Sequence, residues 1–218
     1  MPLFRTYLIA LTLATALVLP FPTGTWAVSA AAGPPRATVP GYSRAEFGEG
    51  WATLGDGCTT RSTAMALAFA AGSCHVPHRQ WDVSPVTDPY TGDPLAPGDV
   101  EIDHLVPLAA AWDLGAHTWD PARRRAFAND PRNLVVTSSR ANQAKSDQLP
   151  SQWMPRNWRA RCAYGRQLAG VAAEYGLALP RADLRAARRA CGGVQGLFGR
   201  TQLAVFRPVK SGRGPRVP

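Results

Sequence analysis

Asp103 and His104 stand side by side at the end of the segment VEIDH, residues 100–104. Apolar Val100 and Ile102 alternate with polar neighbours, which predicts a half-buried strand that ends at this pair. An imidazole with a pKa near its usual value of about 6.5 can accept a proton from water at neutral pH. The pair therefore indicates hydrolytic chemistry in which water, rather than a side chain, is the nucleophile.

Two later segments supply residues that would complete such a site. RNLVVT predicts a second strand that opens with Asn133, and SSRANQAKSDQ predicts a helix with Asn142 and Lys145 on one face. If the strands pair and the helix packs across them, Asp103, His104 and Asn142 converge on one small volume. One carboxylate with one amide oxygen suits Mg²⁺ or Mn²⁺, which bind mainly through substrate phosphate. We therefore expect phosphodiester hydrolysis, with the metal neutralising phosphate charge and His104 activating water.

Several of these residues also have ordinary structural explanations. Asn133 follows Pro131 closely and could be a turn residue before the strand. Arg61 could bind the scissile phosphate with its guanidinium, or it could pair with a carboxylate near the start of a helix. Glu101 shares a strand face with Asp103, so it could support a metal site or hold an arginine.

Other residues capable of chemistry are predicted to be structural. His75 and His78 in CHVPH resemble a metal-binding pair, but no matching ligands follow them, so we interpret them as loop residues. Tryptophans could stack on unpaired bases, although most are expected in the core. These tryptophans are Trp51, Trp81, Trp112, Trp119, Trp153 and Trp158.

Helical elements are predicted around the two strands. A helix begins at Thr59 or Thr60 as N-cap, and another begins with Asp120 as N-cap and Pro121 at its first position. A short helix ends before Gly115, and two longer amphipathic segments follow the strands. The order of elements indicates an α+β domain.

The two ends of the chain differ from its middle. Residues 1–32 are predicted to be a signal peptide, because their apolar run of about 15 residues is shorter than the ~20 needed to span a membrane. Cleavage is expected after about Ala30 to Ala32; the alternative is a membrane anchor. Residues 33–40 are interpreted as an extended leader, 41–191 as the domain, and 192–218 as a basic, disordered tail. We expect a secreted protein without stable membrane association.

The charge of the chain favours anionic partners. The formal net charge is +9, and of the 24 basic residues only Lys145 and Lys210 are lysines. A basic secreted protein tends to meet polyanions, although an arginine-rich surface can also be merely solvated.

Four cysteines are predicted to form two disulfides. There is no C-x-x-C pair, so an oxidising compartment favours disulfides over a structural zinc site. Of the three possible connectivities, we favour the one that closes short local loops, Cys58–Cys74 and Cys162–Cys191.

A series of motifs resembles a known enzyme family. GCTTR, DPYTG, DHLVPLAAAW, RRAFANDPRNL, NQAKSD and RCAY occur in this order, as they do in secreted actinobacterial HNH endonucleases. These belong to the ββα-metal superfamily, with related HNH domains in CRISPR effector nucleases and GmrSD restriction enzymes. The resemblance covers about residues 41–191.

The resemblance implies a role for each matching residue. His104 would be the general base, and Asp103 and Asn142 would bind the divalent metal. Asn133 would orient the imidazole or stabilise its loop, and Lys145 would contact a substrate phosphate. The last letter of the HNH name is Asn142 here rather than histidine, which bears on metal affinity and preference.

The expected protein is thus a monomeric, disulfide-stapled α+β domain with a ββα-metal (HNH, His-Me finger) core and flanking helices. It would cleave DNA, or RNA, with low sequence specificity, using Mg²⁺, Mn²⁺ or another divalent cation, and would leave 5′-phosphate and 3′-hydroxyl ends. The alternatives are a non-catalytic secreted protein that binds DNA or other polyanions, and an exported nuclease toxin.

Overall fold

The structure is a computed structural model that describes residues 2–18 and 28–193. Its helices are α1 Pro2–Val18, α2 Thr60–Ala68, α3 Leu108–Asp113, α4 Pro121–Ala128, α5 Ser139–Lys145, α6 Arg161–Glu174 and α7 Arg181–Arg189. Its strands are β1 Ala32–Gly33, β2 Val86–Thr87, β3 Pro94–Leu95, β4 Val100–His104, β5 Leu134–Ser138 and β6 Leu179–Pro180. The basic tail predicted to be disordered lies, from residue 194 onward, outside the described residues.

The central element is the antiparallel pair of strands β4 and β5, between which the chain forms α3 and α4. Asp103 lies opposite Val135, and His104 lies opposite Leu134. Helix α2 packs on one face of this strand pair and α5 packs on the other. The predicted order of strand, strand and helix is present in an α+β fold. One face is apolar, because Ile102 and Val136 join the buried side chains of α2.

Local sequence signals account for the helix starts. Thr59 caps α2 through a capping box with Ser62, and Asp120 caps α4 by accepting a hydrogen bond from the Arg123 amide. Ser138 ends β5 and caps α5 in the same way, so the chain passes from strand to helix without a loop. This direct transition places the first turn of α5 beside β4.

A second, larger apolar cluster is formed around α6 and α7. It contains the buried rings of Tyr90, Tyr164, Phe47 and Phe127. The predicted disulfides are confirmed: one bond links Cys58 to Cys74 across α2, and the other links Cys162 at the start of α6 to Cys191 just after α7. By the chain-entropy account, each such bond stabilises the fold by about 2–4 kcal/mol.

The segment predicted to be a leader packs on the domain. Strand β1 pairs in parallel with β6, and Val28, only 1% exposed, lies in the core. Arg36 forms ion pairs of 2.7 Å with Asp113 and Asp147. The domain boundary predicted at residue 41 is therefore too late, and cleavage after Ala30 to Ala32 would remove Val28. A two-residue strand beside prolines has no periodicity from which its pairing could be predicted.

Helix α1 has 17 residues and is exposed where its side chains are described. Among residues 2–18 and 28–193, no helix is both long and apolar enough to cross a membrane.

Gly165 permits the close approach of α6 and α7, which gives a test of the packing. A Cβ at this position would lie 2.8 Å from the Ala187 Cβ, so Gly165→Ala should lower the free energy of unfolding by about 1–3 kcal/mol. Gly170→Ala is the matched control on the same helix, because nothing lies within 4 Å of its Cβ position. It should raise the free energy of unfolding by about 0.5–1 kcal/mol. Chemical denaturation measures both changes, and an equal response would contradict the proposed contact.

Candidate active site

The two faces of β4 have different surroundings. Side chains alternate along a strand, so Glu101 and Asp103 face α5, whereas His104 faces the opposite side. The sequence led us to expect that Asp103, Asn142 and His104 converge. In the structure, Asp103 and Asn142 lie on the α5 side of β4, whereas His104 lies on the other side. The groups adjoin only at the end of the strand, where the Lys145 ammonium affects the pKa of both Asp103 and His104.

The Asp103 carboxylate is buried and already has two donors. Its Oδ1 accepts a hydrogen bond from Lys145 Nζ at 2.9 Å, and its Oδ2 accepts one from the Tyr90 hydroxyl at 2.6 Å. Burial raises the pKa of Asp103, while the charge of Lys145 and the Tyr90 hydrogen bond oppose that rise. Burial also lowers the pKa of Lys145, against the attraction of Asp103. The 2.9 Å contact, with a hydrogen-bond donor on each carboxylate oxygen, favours the ionised forms of Asp103 and Lys145 over their neutral forms.

Lys145 does not contact solvent, which corrects its predicted role. The side chain is 0% exposed, and Nζ also donates to the His104 carbonyl oxygen at 2.8 Å. A phosphate contact is therefore incompatible with this position. The spacing from Asn142 indicated the correct helix face, but it carried no information about the acceptors that β4 presents to that face.

Glu101, whose role the sequence left open, contacts Asn142. Its Oε1 accepts from Ser139 Oγ at 2.7 Å, and its Oε2 accepts from Asn142 Nδ2 at 2.7 Å. The hydrogen bonds from Ser139 and Asn142 lower the pKa of Glu101, and the charge of Arg61 acts in the same direction. Glu101 is consequently an ionised carboxylate at neutral pH. It borders a solvent-open cleft of about 890 Å³.

The His104 imidazole is held in one tautomer. Its Nε2 lies 2.8 Å from the Ala128 carbonyl oxygen, which can only accept, so Nε2 carries the proton and Nδ1 is left unprotonated. Burial lowers the pKa of His104 to about 4; the charges of Arg44 and Lys145 act in the same direction, against the hydrogen bond to Ala128. The ring is therefore neutral at pH 7 and can accept a proton at Nδ1.

Trp51 covers the imidazole. The two rings are stacked, with centroids 5.5 Å apart and planes within 6°. A cavity of about 20 Å³ adjoins His104, Trp51 and Arg44, which is enough space for about one water molecule. Trp51 was one of the tryptophans considered for base stacking; here its ring fixes the plane of a histidine.

Asn133 stabilises the backbone just beyond His104. Its Oδ1 accepts from the Val106 amide at 2.8 Å, and its Nδ2 donates to the Val106 carbonyl at 3.3 Å. Its own carbonyl accepts from the Leu105 amide. Of the two roles implied by the family resemblance, these contacts fit the support of the loop rather than direct orientation of the ring.

Arg61 and His75 occupy different environments. Arg61 is partly exposed and donates to the Val100 carbonyl at 3.2 Å, beside Glu101, so its guanidinium remains a candidate for phosphate binding. The ring nitrogens of His75 lie 3.6 Å from Cys58 Sγ. Together with Cys74 these groups have the spacing of metal ligands, but the cysteines are disulfide-bonded and offer no thiolate.

Tyr90 and Asp88 were not predicted as part of the site. Both come from the DPYTG motif, which the family resemblance included without a role for any of its residues. Asp88 accepts from Thr137 Oγ1 at 2.7 Å and from the Ser138 amide at 3.0 Å, and so it anchors the turn to β5. This anchor holds the Tyr90 hydroxyl against Asp103. The order Asp-Pro-Tyr in this motif was the available sequence signal.

Comparisons with known proteins identify the family. A family model described as GmrSD restriction endonucleases, C-terminal domain, matches residues 73–171. An uncharacterized secreted protein from Arthroderma benhamiae is 36% identical over 156 residues, which cover 68% of this chain and 74% of the relative. The chain belongs to the same family as this secreted protein, and its residues 73–171 are similar to the GmrSD C-terminal domain. No solved structure gives a significant match. The GmrSD C-terminal domain match includes β4, β5 and α5, with Asp103, His104, Asn133, Asn142 and Lys145.

The buried ion pair can be tested by removing its cation. Lys145→Met leaves the Asp103 carboxylate buried without its partner, so the free energy of unfolding should fall by roughly 3–5 kcal/mol. Lys145→Met combined with Asp103→Asn should recover part of that loss. Arg140→Met changes an exposed cation on the same helix and should alter stability by no more than about 0.5 kcal/mol. If denaturation shows Lys145→Met to be as mild as Arg140→Met, the pair does not stabilise the fold.

Proposed function

We propose that this protein is a secreted, divalent-metal-dependent HNH endonuclease that hydrolyses phosphodiester bonds of DNA, or RNA, with low sequence specificity. The observation that carries the proposal is the state of His104. Its neutral ring has an unprotonated Nδ1, and a cavity of about the size of one water molecule adjoins it. The similarity of residues 73–171 to the C-terminal domain of GmrSD restriction endonucleases supports the same chemistry.

The residues on the α5 face fit a hard divalent cation. Asp103 has two donors on its oxygens, while a carboxylate has about four lone-pair positions, so it retains acceptor capacity. Asn142 donates through Nδ2 to Glu101, which leaves its Oδ1 as a ligand. These oxygens suit Mg²⁺ or Mn²⁺ better than zinc. Bound by Asp103 and Asn142, such an ion would neutralise phosphate charge and stabilise the leaving oxygen.

His104 would act on water. The water gives a proton to Nδ1 as its oxygen attacks phosphorus, and the bond from phosphorus to the 3′ oxygen breaks. The products are a 5′-phosphate and, after the leaving oxygen takes a proton, a 3′-hydroxyl. The hydrogen bond from Nε2 to the Ala128 carbonyl holds the ring and stabilises the positive charge that develops on it.

Other side chains would support the substrate and the ligands. Lys145 and Tyr90 hold the Asp103 carboxylate, and Asn133 holds the loop that follows His104. Arg61 would bind a phosphate oxygen beside Glu101. The formal net charge of +9 favours attraction to the nucleic acid backbone, which carries no sequence information. Low specificity follows from that mode of binding.

Cleavage of plasmid DNA tests this function. The protein should nick the plasmid in Mg²⁺ or Mn²⁺, and EDTA should stop the reaction. His104→Ala should slow cleavage by about 10²–10⁴-fold, because it removes the proton acceptor. His75→Ala, a change at an exposed histidine, should leave the rate unchanged.

Two results would contradict the assignment. Undiminished cutting by His104→Ala would remove this residue from the mechanism. If the unmodified protein bound DNA but did not cut it in any divalent metal, the non-catalytic polyanion-binding function would be favoured instead.

A further inference from the structure

The Glu101 carboxylate makes a set of contacts that the proposed reaction does not use. It accepts hydrogen bonds from Ser139 Oγ and Asn142 Nδ2, both at 2.7 Å, and from Gln143 Nε2 at 3.4 Å. Ser139 lies one helical turn before Asn142 and Gln143 on α5, so all three side chains can reach Glu101. One carboxylate of β4 therefore fixes three side chains of the helix that carries Asn142.

We propose that Glu101 is a positioning residue that sets the orientation of the Asn142 amide, so that its Oδ1 faces the divalent metal. This inference rests on the proposed function. Asn142 Nδ2 donates to Glu101 Oε2 at 2.7 Å, so the amide presents its NH₂ group to the carboxylate. The Oδ1 atom, on the other arm of the planar amide, then points away from Glu101.

The orientation matters because the two ends of an amide are not equivalent for a cation. Oδ1 has lone pairs that can bind a metal, whereas the NH₂ group offers only hydrogens. Without Glu101, the Asn142 amide could rotate by half a turn and present its NH₂ group to the cation. Partners that orient a ligand in this way typically account for 10–100-fold in metal affinity.

Metal binding without nucleic acid gives a direct test that does not depend on catalysis. Free Mn²⁺ can be measured by electron paramagnetic resonance during titration of the full secreted protein. Glu101→Ala and Asn142→Ala should each weaken Mn²⁺ binding by about 10–100-fold. The double variant should bind no more weakly than Asn142→Ala alone, because Glu101 acts through Asn142.

Asp99→Asn is the matched control. Asp99 is exposed and borders the same cleft, so its replacement removes a nearby negative charge without removing a bond to Asn142. Asp99→Asn should change the Mn²⁺ affinity by no more than about twofold if Glu101 acts by orienting the Asn142 amide rather than through its negative charge. In the metal-free protein, the side-chain amide resonance of Asn142 should move in Glu101→Ala and stay in place in Asp99→Asn.

The outcomes separate this proposal from the proposed function. Additive losses in the double variant would mean that Glu101 binds the metal itself, which overturns the positioning role. Normal binding by Glu101→Ala, with impaired binding by Asn142→Ala, overturns it as well and leaves the metal site intact. If the unmodified protein binds no Mn²⁺, or Asn142→Ala binds it normally, the metal assignment of the proposed function fails, and the role of Glu101 fails with it.

Discussion

The buried contact between Lys145 and Asp103 is the interaction on which the arrangement of the site depends. It joins the last residue of α5 to the strand that carries His104, and Nζ binds the His104 backbone as well. A charge inside the protein is tolerated only when its partners are placed accurately, because the desolvation penalty is several kcal/mol per ion. The helix therefore cannot slide along β4 without exposing an unpaired charge to an apolar interior. This restraint also fixes the position of Asn142, which lies one turn earlier on α5.

Local signals in the sequence predicted most of the elements. The hydroxyl of Thr59 and the carboxylate of Asp120 mark helix starts through bonds within a few residues, so their positions could be predicted without the fold. The cysteine pairs could be predicted for the same reason, since the two bonds join residues only 16 and 29 positions apart. Alternation along residues 100–104 likewise predicted β4 and the face that Glu101 shares with Asp103.

The contacts within the site were harder to predict, because they join distant parts of the chain. Nothing local indicates that Trp51 stacks on His104, or that Tyr90 reaches Asp103. The family resemblance assigned Lys145 to a substrate phosphate, and only the packing of α5 against β4 shows that it is a buried cation. Residue types and spacing thus indicated which side chains belong to the region, whereas their partners depended on tertiary structure.

The pairing of β1 with β6 has a consequence for the order in which the domain forms. The two strands lie near opposite ends of the described domain, and Arg188 of α7 also donates to the Val28 carbonyl. A contact between such distant segments closes a long loop. The chain loses the conformational entropy of that loop before the contact can stabilise the fold. Strands β4 and β5 and helices α2 and α5 all lie within residues 60–145, so they can assemble once that part of the chain exists, while the last layer must wait for the C-terminal helices. A chain still being synthesised or exported would hold the central strands without the outer layer that completes its core.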